Sequence, residues 1–396
     1  MSAAPAAEPV SEPVSGPAAG SPLTVGVEEE FLLVDAATRR PVPAVEAVIA
    51  ATPDGLPGHV TREFVSNQIE IGSRPATDLA TLRESLAALR VAVSGAARRA
   101  GAALVPIGCG PFDAPEPSVA DEPRYRRMAA EFGAVAAGPG LNGVHVHVGI
   151  ADAESGVRVL NHLRPWLPVL HAVTANSPFH RGRDTGYASW RSVLWARWPT
   201  VGPTPHLRSA THYEDLVAEL VESGAMLDRG MLYWYSRLSS HVPTVEVRVG
   251  DVCPTLDDTV FLAAMVRALV GTALEAVASG EPPPPVPHTV LVAAHWRAAR
   301  DGLEGMAVDP ADRALRPAWE VLQRLFALVR PQLERHGDAT LAADLLDGLR
   351  RHGTGAARQR AVFARRRDLA DVVDYLAGQV DPVGQVAPRR GTGPGV

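Results

Sequence analysis

Four segments of this chain alternate apolar and polar residues with a period of two. They are LTVGVEEEFLLVD at 23–35, EFVSNQIEI at 63–71, GVHVHVGI at 143–150 and PTVEVRVGDV at 243–252. Successive side chains of a β-strand point to opposite faces, so each segment has one face of valine, isoleucine, leucine or phenylalanine. The four segments therefore predict antiparallel strands that bury one face in a core.

The opposite faces of these strands carry an unusual set of side chains. They are Glu28 and Glu30; Ser66, Gln68 and Glu70; His145 and His147; and Thr244, Glu246 and Arg248. For any single strand, a face turned to water is the ordinary interpretation. Two carboxylates on one strand face repel each other, however, and stay ionised only beside a cation. The four faces together therefore indicate a concave polar site formed by neighbouring strands.

Two glutamates depart from this alternation. Glu29 falls on the apolar face of its segment, and a position at a sheet edge would explain it. Glu63 has the wrong parity for the polar face of 63–71, so it reaches the same site only if the strand begins after it.

The residue types on the polar faces favour a magnesium or manganese site. Carboxylates outnumber histidines, and hard oxygen ligands suit Mg²⁺ or Mn²⁺ better than Zn²⁺. Arg248, beside Glu246, is placed to neutralise charge on a transferring phosphoryl group. No serine or cysteine stands near a base at a spacing typical of a nucleophile. Three functions stay open at this point: a nucleotide-dependent ligase, a metal-dependent amide hydrolase and a non-catalytic nucleotide-binding protein.

Composition excludes several other classes. The 396 residues contain 38 basic side chains, all of them arginine, and the formal net charge is -6. Without a lysine there is no ordinary P-loop and no Schiff-base chemistry. A mildly acidic chain lacks the field of a nucleic-acid binder. With two cysteines, no signal-peptide pattern and no uncharged run of 18 apolar residues, we expect a cytoplasmic protein without a membrane span.

The remaining chain predicts helices and flexible ends. Apolar residues three to four apart predict helices over 78–98, 158–175, 257–279 and 318–334, and over 339–377 with a break at Gly353 and Gly355. EPPPPVP at 281–287 predicts an extended exposed loop. The composition of 1–22 and 381–396 predicts disordered tails around one catalytic domain at 23–380.

With these residues in view, the chain resembles glutamate–cysteine ligase family 2, in its carboxylate–amine ligase branch. Eight landmarks occur in order: GVEEEF at 26–31, EFVSNQIEI at 63–71, PRYRRM at 123–128, GVHVHVGI at 143–150, ANSPF at 175–179, GRDTGYASWR at 182–191, PTVEVRVGDV at 243–252 and AARQR at 356–360. Each landmark is a weak pattern by itself, but eight in order are specific.

The resemblance implies an α+β fold, in which a curved antiparallel sheet forms a funnel of the glutamine synthetase type with helices packed outside. It implies ATP and Mg²⁺, or Mn²⁺, as cofactors, and an amino acid and an amine as substrates. It also implies that two copies pair as a homodimer. The expected reaction joins glutamate to cysteine, or to a similar amine, through an acyl phosphate.

The resemblance also assigns roles to residues. The implied metal ligands are Glu28, Glu30, Glu63, Glu70, His145 and Glu246. His147, Arg248, Arg358 and Arg360 would contact nucleotide phosphates, and Glu246 with Arg248 would form the catalytic pair. Gln68, Tyr187 and Arg191 are the expected substrate-binding residues. Two alternatives remain: Tyr187 and Trp190 pack their own loop, and Arg358 and Arg360 belong to a solvated helix face.

Overall fold

The computed structural model describes residues 22–113 and 119–380. The predicted tails lie outside these residues, except for position 22. The strands of the main sheet are β1 Val25–Asp35, β2 Gly58–Arg62, β3 Gln68–Ser73, β4 Ala102–Val105, β5 Gly143–Gly149, β8 Ser236–Leu238 and β9 Thr244–Asp251. Two small hairpins pair β6 Phe179–His180 with β7 Arg183–Asp184 and β10 Met306–Val308 with β11 Leu315–Pro317.

The main sheet is antiparallel throughout, in the order β2-β3-β1-β5-β9-β8, and β4 pairs with the end of β1. All four predicted strand segments take part in it. The second segment is shorter than predicted, because β3 begins only at Gln68. Glu63 therefore lies before the strand and not within it. The alternation of the strand does not apply to Glu63, so its side chain can reach the polar face, as the sequence analysis required.

Thirteen α-helices of the described residues pack around this sheet. They are α1 Val45–Ala51, α2 Leu79–Arg99, α3 Pro123–Phe132, α4 Ala153–Leu163, α5 Leu167–Val173, α6 Trp190–Trp195, α7 Ala210–Glu222, α8 Leu256–Ala278, α9 His288–Asp301, α10 Ala318–Arg335, α11 Ala339–His352, α12 Gly355–Arg366 and α13 Leu369–Val380. α2 and α8 pack against the apolar face of the sheet, where Val25, Val27, Val146 and Val148 are buried. Packing of these helices on the apolar face thus holds in place the strands that carry the polar face.

The expectation that Glu29 lies at a sheet edge is wrong. β1 has neighbours on both sides, and Glu29 is fully buried beneath it. The Arg90 guanidinium of α2 donates to its carboxylate with an Nε–Oε2 distance of 2.8 Å, and the Thr259 hydroxyl of α8 donates to it as well. An arginine and a hydroxyl from two helices therefore satisfy a charge that the strand pattern could not explain.

Two predicted helices are interrupted. The segment 158–175 forms α4 and α5 with a break between Leu163 and Leu167. Pro165 and Pro168 account for it, because proline supplies no backbone N–H and restricts the residue before it. The segment 339–377 breaks at Gly353 as predicted and again at Arg367, which adopts a left-handed conformation with φ of 60°. The proline-rich stretch 281–287 links α8 to α9 without regular structure, as predicted.

α8 is long and apolar enough to cross a membrane by length and composition alone. However, 72% of its most apolar window is buried inside the fold. Arg267, in the middle of this helix, is fully buried and forms an ion pair with Asp338. These contacts are typical of the central helix of a globular core.

The N-terminus of α2 offers a test of local stability. The Asp78 carboxylate accepts a hydrogen bond from the Thr81 N–H at 2.8 Å, as expected of an N-cap. Asp78→Ala should lower the free energy of unfolding by about 1 kcal/mol, measured by urea denaturation, because this N–H loses its partner. Asp344→Ala, an exposed change inside α11, is the matched control. Equal effects of the two changes would contradict a capping role.

Candidate active site

Strand register brings the predicted polar residues onto one face. Glu28 lies opposite His145 of β5 and Gly72 of β3, and Glu30 lies opposite Glu70. On the next pair of strands, His147 lies opposite Glu246. The sheet therefore gathers four separate sequence segments into a single cluster.

This cluster forms the floor of a cavity of about 1280 Å³. Its walls come from α3, from the tryptophans near the end of α6 and from the loop before β8. The wall residues include Arg124, Tyr125, Arg127, Trp195, Trp198 and Tyr233. The cavity is large enough for a nucleotide together with a small second substrate.

Carboxylates and imidazoles on the floor converge in three overlapping triplets. They are Glu28, His147 and Glu246; Glu30, Glu70 and His145; and Glu28, His59 and Glu70. Within each triplet, one ligand atom of every residue lies within 4.8 Å of the others. The Nε2 atoms of His145 and His147 are buried and have no hydrogen-bond partner among the described residues. Oxygen-rich donor sets with an available imidazole nitrogen fit divalent cations such as Mg²⁺ and Mn²⁺.

The carboxylates of the floor differ in how far neighbouring histidines and arginines compensate their negative charge. Burial alone would raise the pKa of Glu28, but the hydrogen bond with His145 Nδ1 and the His147 imidazole, 3.4 Å away, hold that pKa well below its ordinary value. Burial opposes ionisation of Glu246 too, and Arg248 and Arg237 hold its pKa low.

The other half of the floor lacks such compensation. Burial, with the charge of Glu30, raises the pKa of Glu63 to about 7. Burial and the nearby charges of Glu28 and Glu63 raise the pKa of Glu70 well above its usual range. Negative charge thus exceeds the positive charge supplied by side chains around Glu63 and Glu70, which is where a bound cation would be most stabilising.

This excess charge predicts a pH dependence in the absence of divalent ions. Because the folded-state pKa of Glu63 is raised from 4.5 to about 7, the folded state binds its proton more tightly than the unfolded state. The resulting stability is fully present below pH 4.5 and is lost as pH rises through about 7. Urea denaturation in EDTA should show this decline, and Glu63→Gln should flatten it. An unchanged slope in that variant would contradict the assignment.

The side of the cavity formed by β8 and β9 is rich in arginine. The Arg248 Nη1 atom lies 2.6 Å from Glu246 Oε1, and the Arg237 Nε atom lies 2.7 Å from Glu246 Oε2. Arg248 is buried, and its Nε atom has no hydrogen-bond partner in the described part of the chain. Glu246 therefore holds two guanidinium groups while Arg248 keeps a donor for a ligand.

Arg191 is a second buried arginine in the cavity lining. Its guanidinium stacks on Trp195 at 4.7 Å from the ring centroid, and its Nε and Nη1 atoms have no hydrogen-bond partner among residues 22–113 and 119–380. Asp251 lies 3.9 Å from Nη1, but its oxygens already accept from Ser177 and Ser189. A Cβ atom at Gly143 would lie 2.4 Å from Arg191 Nη2, so glycine makes room for the side chain. Arg191 thus offers an underused positive charge to an anionic substrate.

Gln68 also lines the cavity, with its amide fixed by Leu141 and Asn142. The Nε2 atom donates to the Leu141 carbonyl at 3.0 Å and to Asn142 Oδ1 at 2.9 Å. The carbonyl oxygen of the Gln68 amide is thereby oriented and can accept from a substrate.

Three predicted site residues do not reach this cavity. Arg358 is paired with Asp258 at 2.7 Å, and Arg360 binds Asp184 through two contacts of 2.8 Å. The Tyr187 hydroxyl accepts from the Trp296 indole at 3.3 Å, and its ring lies against Trp190. These contacts attach α12 and the loop before α6 to the rest of the fold. The geometry therefore favours the packing alternative for Tyr187, whereas Arg358 and Arg360 lie in ion pairs rather than on a freely solvated face or against a ligand.

Sequence reasoning also missed several residues of the cavity. Arg237 lies on a strand of three residues, which is too short for an alternation to be recognised. His59 lies on β2, whose sequence GHVTR alternates but contains no carboxylate. Tyr125 and Arg127 belong to the landmark PRYRRM, whose sequence indicates no mechanism, and they line the cavity because α3 forms one of its walls.

Comparison with known proteins places this geometry in a family. The model of glutamate-cysteine ligase family 2 matches residues 24–375. The chain belongs to glutamate–cysteine ligase family 2. A protein of Salinispora arenicola, named provisionally as glutamate–cysteine ligase 2, is 51% identical over 365 residues, covering 91% of this chain and 96% of the relative. A Salinispora tropica protein with the same name is 50% identical over 366 residues, covering 91% of this chain and 96% of its own length.

Solved structures of ligases share the fold of this family 2 member. A glutamate–cysteine ligase from Francisella tularensis, in complex with AMP, superposes with a TM-score of 0.63 at 14% identity, covering 92% of this chain and 90% of that one. A bifunctional glutathione synthetase from Pasteurella multocida gives a TM-score of 0.61 at 16% identity, covering 90% of this chain and 52% of that one. At these identities the likeness confirms the predicted α+β fold.

Proposed function

We propose that this protein is an ATP-dependent carboxylate–amine ligase that uses Mg²⁺ or Mn²⁺. One observation carries the proposal: three carboxylate–imidazole triplets and two underused buried arginines face the same cavity. Cation ligands suit the phosphates of a nucleotide, and guanidinium groups with unused N–H donors suit the carboxylate of an acid. Family membership and the names of the relatives support this choice over a hydrolase.

The expected reaction has two steps. An oxygen of the substrate carboxylate attacks the γ-phosphorus of ATP, which gives an acyl phosphate and releases ADP. The amine nitrogen then attacks the acyl carbon, the phosphate leaves, and the amine loses a proton. Little covalent chemistry is required of the protein, so positioning and charge stabilisation supply most of the catalysis.

Divalent cations held by the triplets would neutralise phosphate charge and align the phosphate chain. The residues of the chain complete this environment. Arg248, held by Glu246, lines the cavity and keeps an Nε donor that has no hydrogen-bond partner among the described residues. His147 is fixed by a contact of 3.0 Å between its Nδ1 atom and the Thr244 hydroxyl, which leaves Nε2 near Glu28. These groups are in place before substrates bind, so they need little reorganisation during the reaction.

We infer that Arg191 binds a carboxylate of the acid substrate. Its guanidinium is backed by Trp195 and has no hydrogen-bonded acceptor for Nε or Nη1 within the described chain. The oriented Gln68 amide lies in the same lining and can accept from an ammonium or amide group. An amino acid such as glutamate fits these two contacts, and cysteine or a similar small amine is the proposed second substrate.

Release of phosphate from ATP tests the proposal directly. The purified protein is incubated with ATP, Mg²⁺ and glutamate, and single amino acids and amines are added in turn. ADP and phosphate that form only when both an acid and an amine are present would support a ligase and identify its substrates. No nucleotide turnover with any pair, together with hydrolysis of a model amide, would replace the ligase by a metal-dependent hydrolase.

A further inference from the structure

Asp251, the last residue of β9, is a fully buried carboxylate that is not part of the cavity lining. Its Oδ2 atom accepts hydrogen bonds from the Asn176 N–H at 2.9 Å and from the Ser177 hydroxyl at 2.7 Å. Its Oδ1 atom accepts from the Ser189 hydroxyl at 2.8 Å. An ionised carboxylate at this depth needs hydrogen bonds and also a positive charge nearby.

Arg191 supplies that positive charge. Its Nη1 atom lies 3.9 Å from Asp251 Oδ1, which is close enough for attraction between the two charges but too long for a hydrogen bond. The three donors to Asp251 hold its carboxylate at this position. The negative charge therefore stabilises the buried guanidinium, while the Nε and Nη1 atoms of Arg191, which have no hydrogen-bond partner within the described residues, stay available to a ligand.

The same hydrogen bonds fix the backbone that carries Arg191. The Ser177 hydroxyl accepts from the Arg191 N–H at 3.0 Å and donates to Asp251. Ser189, the second hydroxyl donor to Asp251, is the N-cap of α6. Because β9 also carries Arg248, Asp251 fixes the start of α6 relative to the strand that forms part of the cavity floor.

A chain of hydrogen bonds extends from Asp251 into the core, and its direction follows from the donors available. Ser189 donates its only hydroxyl proton to the carboxylate, so Ser189 Oγ accepts from the Ser192 hydroxyl at 2.8 Å. Ser192 Oγ in turn accepts from His171 Nε2 at 2.5 Å, and His171 Nδ1 accepts from His295 Nδ1 at 3.3 Å. The chain ends at His295 Nε2, which is buried and has no hydrogen-bond partner among the described residues.

Neutral imidazoles fit this chain. Burial, together with the charge of Arg191, lowers the pKa of His171 to about 3. Burial also lowers the pKa of His295 well below its ordinary value. Each ring therefore carries one proton at neutral pH, on Nε2 in His171 and on Nδ1 in His295. The carboxylate at one end of the chain thus determines the tautomers of two histidines, on α5 and α9.

We propose that Asp251 is a positioning residue, which holds the Arg191 guanidinium in place for the carboxylate of the acid substrate and sets the direction of the hydrogen-bond chain to His295. The inference rests on the proposed function, in which Arg191 binds that carboxylate. Asp251 acts through Arg191, by its charge and by the hydrogen bonds that fix α6, and does not itself contact the substrate.

Asp251→Asn removes the charge with almost no change in shape, and it should reverse the chain. The Asn176 N–H can only donate, so the carbonyl oxygen of the amide takes the Oδ2 position and its NH₂ group takes the Oδ1 position. That NH₂ group donates to Ser189, and every later hydrogen bond changes direction. His171 should then carry its proton on Nδ1 and His295 on Nε2.

Nitrogen-15 NMR of the histidine rings identifies these tautomers in the full-length protein without nucleotide. The native protein should show His171 protonated on Nε2 and His295 protonated on Nδ1, with His171→Gln and His295→Gln to assign the two rings. Both tautomers should be exchanged in Asp251→Asn. The same tautomers in the native protein and the variant would overturn the proposed direction of the chain.

The position of the guanidinium is tested by a crystal structure of Asp251→Asn. The Arg191 side chain should leave its place over the Trp195 ring, where its centroid distance is 4.7 Å, because its buried charge has lost its partner. An Arg191 side chain in its native place would overturn the positioning role. Neither this result nor the tautomers depend on turnover.

Steady-state phosphate release separates positioning from general damage. In Asp251→Asn the KM for glutamate should rise about tenfold, while the KM for ATP should change less than about twofold. Ser192→Ala is the matched control, because it interrupts the chain beyond Ser189 and leaves all three donors to Asp251 in place. An unchanged KM for glutamate in Asp251→Asn, or an equal rise in Ser192→Ala, would overturn the proposal.

Ser177→Ala is a second variant, which keeps the charge of Asp251 and serves if Asp251→Asn does not fold. It removes one donor to the carboxylate and the acceptor of the Arg191 N–H, so the KM for glutamate should rise about threefold. A native KM for glutamate in Ser177→Ala would contradict the positioning role. If the native protein releases no phosphate with any substrate pair, the ligase assignment fails, whereas the tautomers and the place of Arg191 still decide the role of Asp251.

Discussion

Glu28→Gln is expected to reduce the rate of ligation at least about 100-fold, because it removes a charge that positions cation and phosphate in a buried site. Glu28 belongs to two of the three ligand triplets, and its Oε2 atom lies 3.1 Å from His145 Nδ1. A neutral amide preserves the shape of the side chain but binds a divalent cation weakly. Initial rates of phosphate release at saturating ATP measure the effect.

Glu222→Gln is the matched control for this change. Glu222 is an exposed residue at the end of α7, so the same chemical substitution leaves the cavity intact. Its rate should equal that of the native protein. If Glu28→Gln keeps nearly normal activity while both variants remain folded by circular dichroism, Glu28 does not belong to the catalytic site.

Arg90→Met should lower the free energy of unfolding by about 3–5 kcal/mol, because it leaves the buried Glu29 carboxylate without its counter-charge. Both side chains are essentially inaccessible to solvent, and Arg90 also donates to the Thr259 hydroxyl at 3.1 Å. Urea denaturation monitored by tryptophan fluorescence measures the change. The effect on activity in the residual folded protein should be small, since Glu29 faces away from the cavity.

The double variant Glu29→Leu/Arg90→Met tests whether Arg90 stabilises the fold by compensating the Glu29 charge or by the shape of its side chain. Replacing both members by apolar groups of similar volume removes the unpaired charge, so most of the lost stability should return. A double variant as unstable as Arg90→Met alone would show that shape, rather than charge compensation, explains the loss.

The polar floor of the site was predictable because strand alternation is a local property. Glu28, Glu30, His145, His147, Glu246 and Arg248 share one face by parity alone, and the cavity lining contains all six. Glu63 was predicted from family resemblance, and it reaches the cavity because it lies just before β3.

Residues brought in from other elements were not predictable in this way. Arg358 and Arg360 were expected to contact nucleotide phosphates. In the structure they form ion pairs with Asp258 and Asp184 instead. Glu29 violates the strand pattern, yet Arg90 of α2 satisfies it inside the core. The sequence does not show which carboxylate meets which guanidinium, because their partners are separated by tens to hundreds of positions.

The sequence by itself determined the strands and their polar face, and it predicts metal-ligand chemistry on that face. These follow from the two-residue period of a strand and from the preferences of carboxylates and imidazoles for cations. Only the tertiary structure decided that His59 comes within 4.8 Å of Glu28, that α3 forms one wall of the cavity, and that Arg191 Nε and Nη1 have no hydrogen-bond partner within the described residues. Such relations depend on the order and register of strands and on helix packing, which are set by contacts distant in the chain.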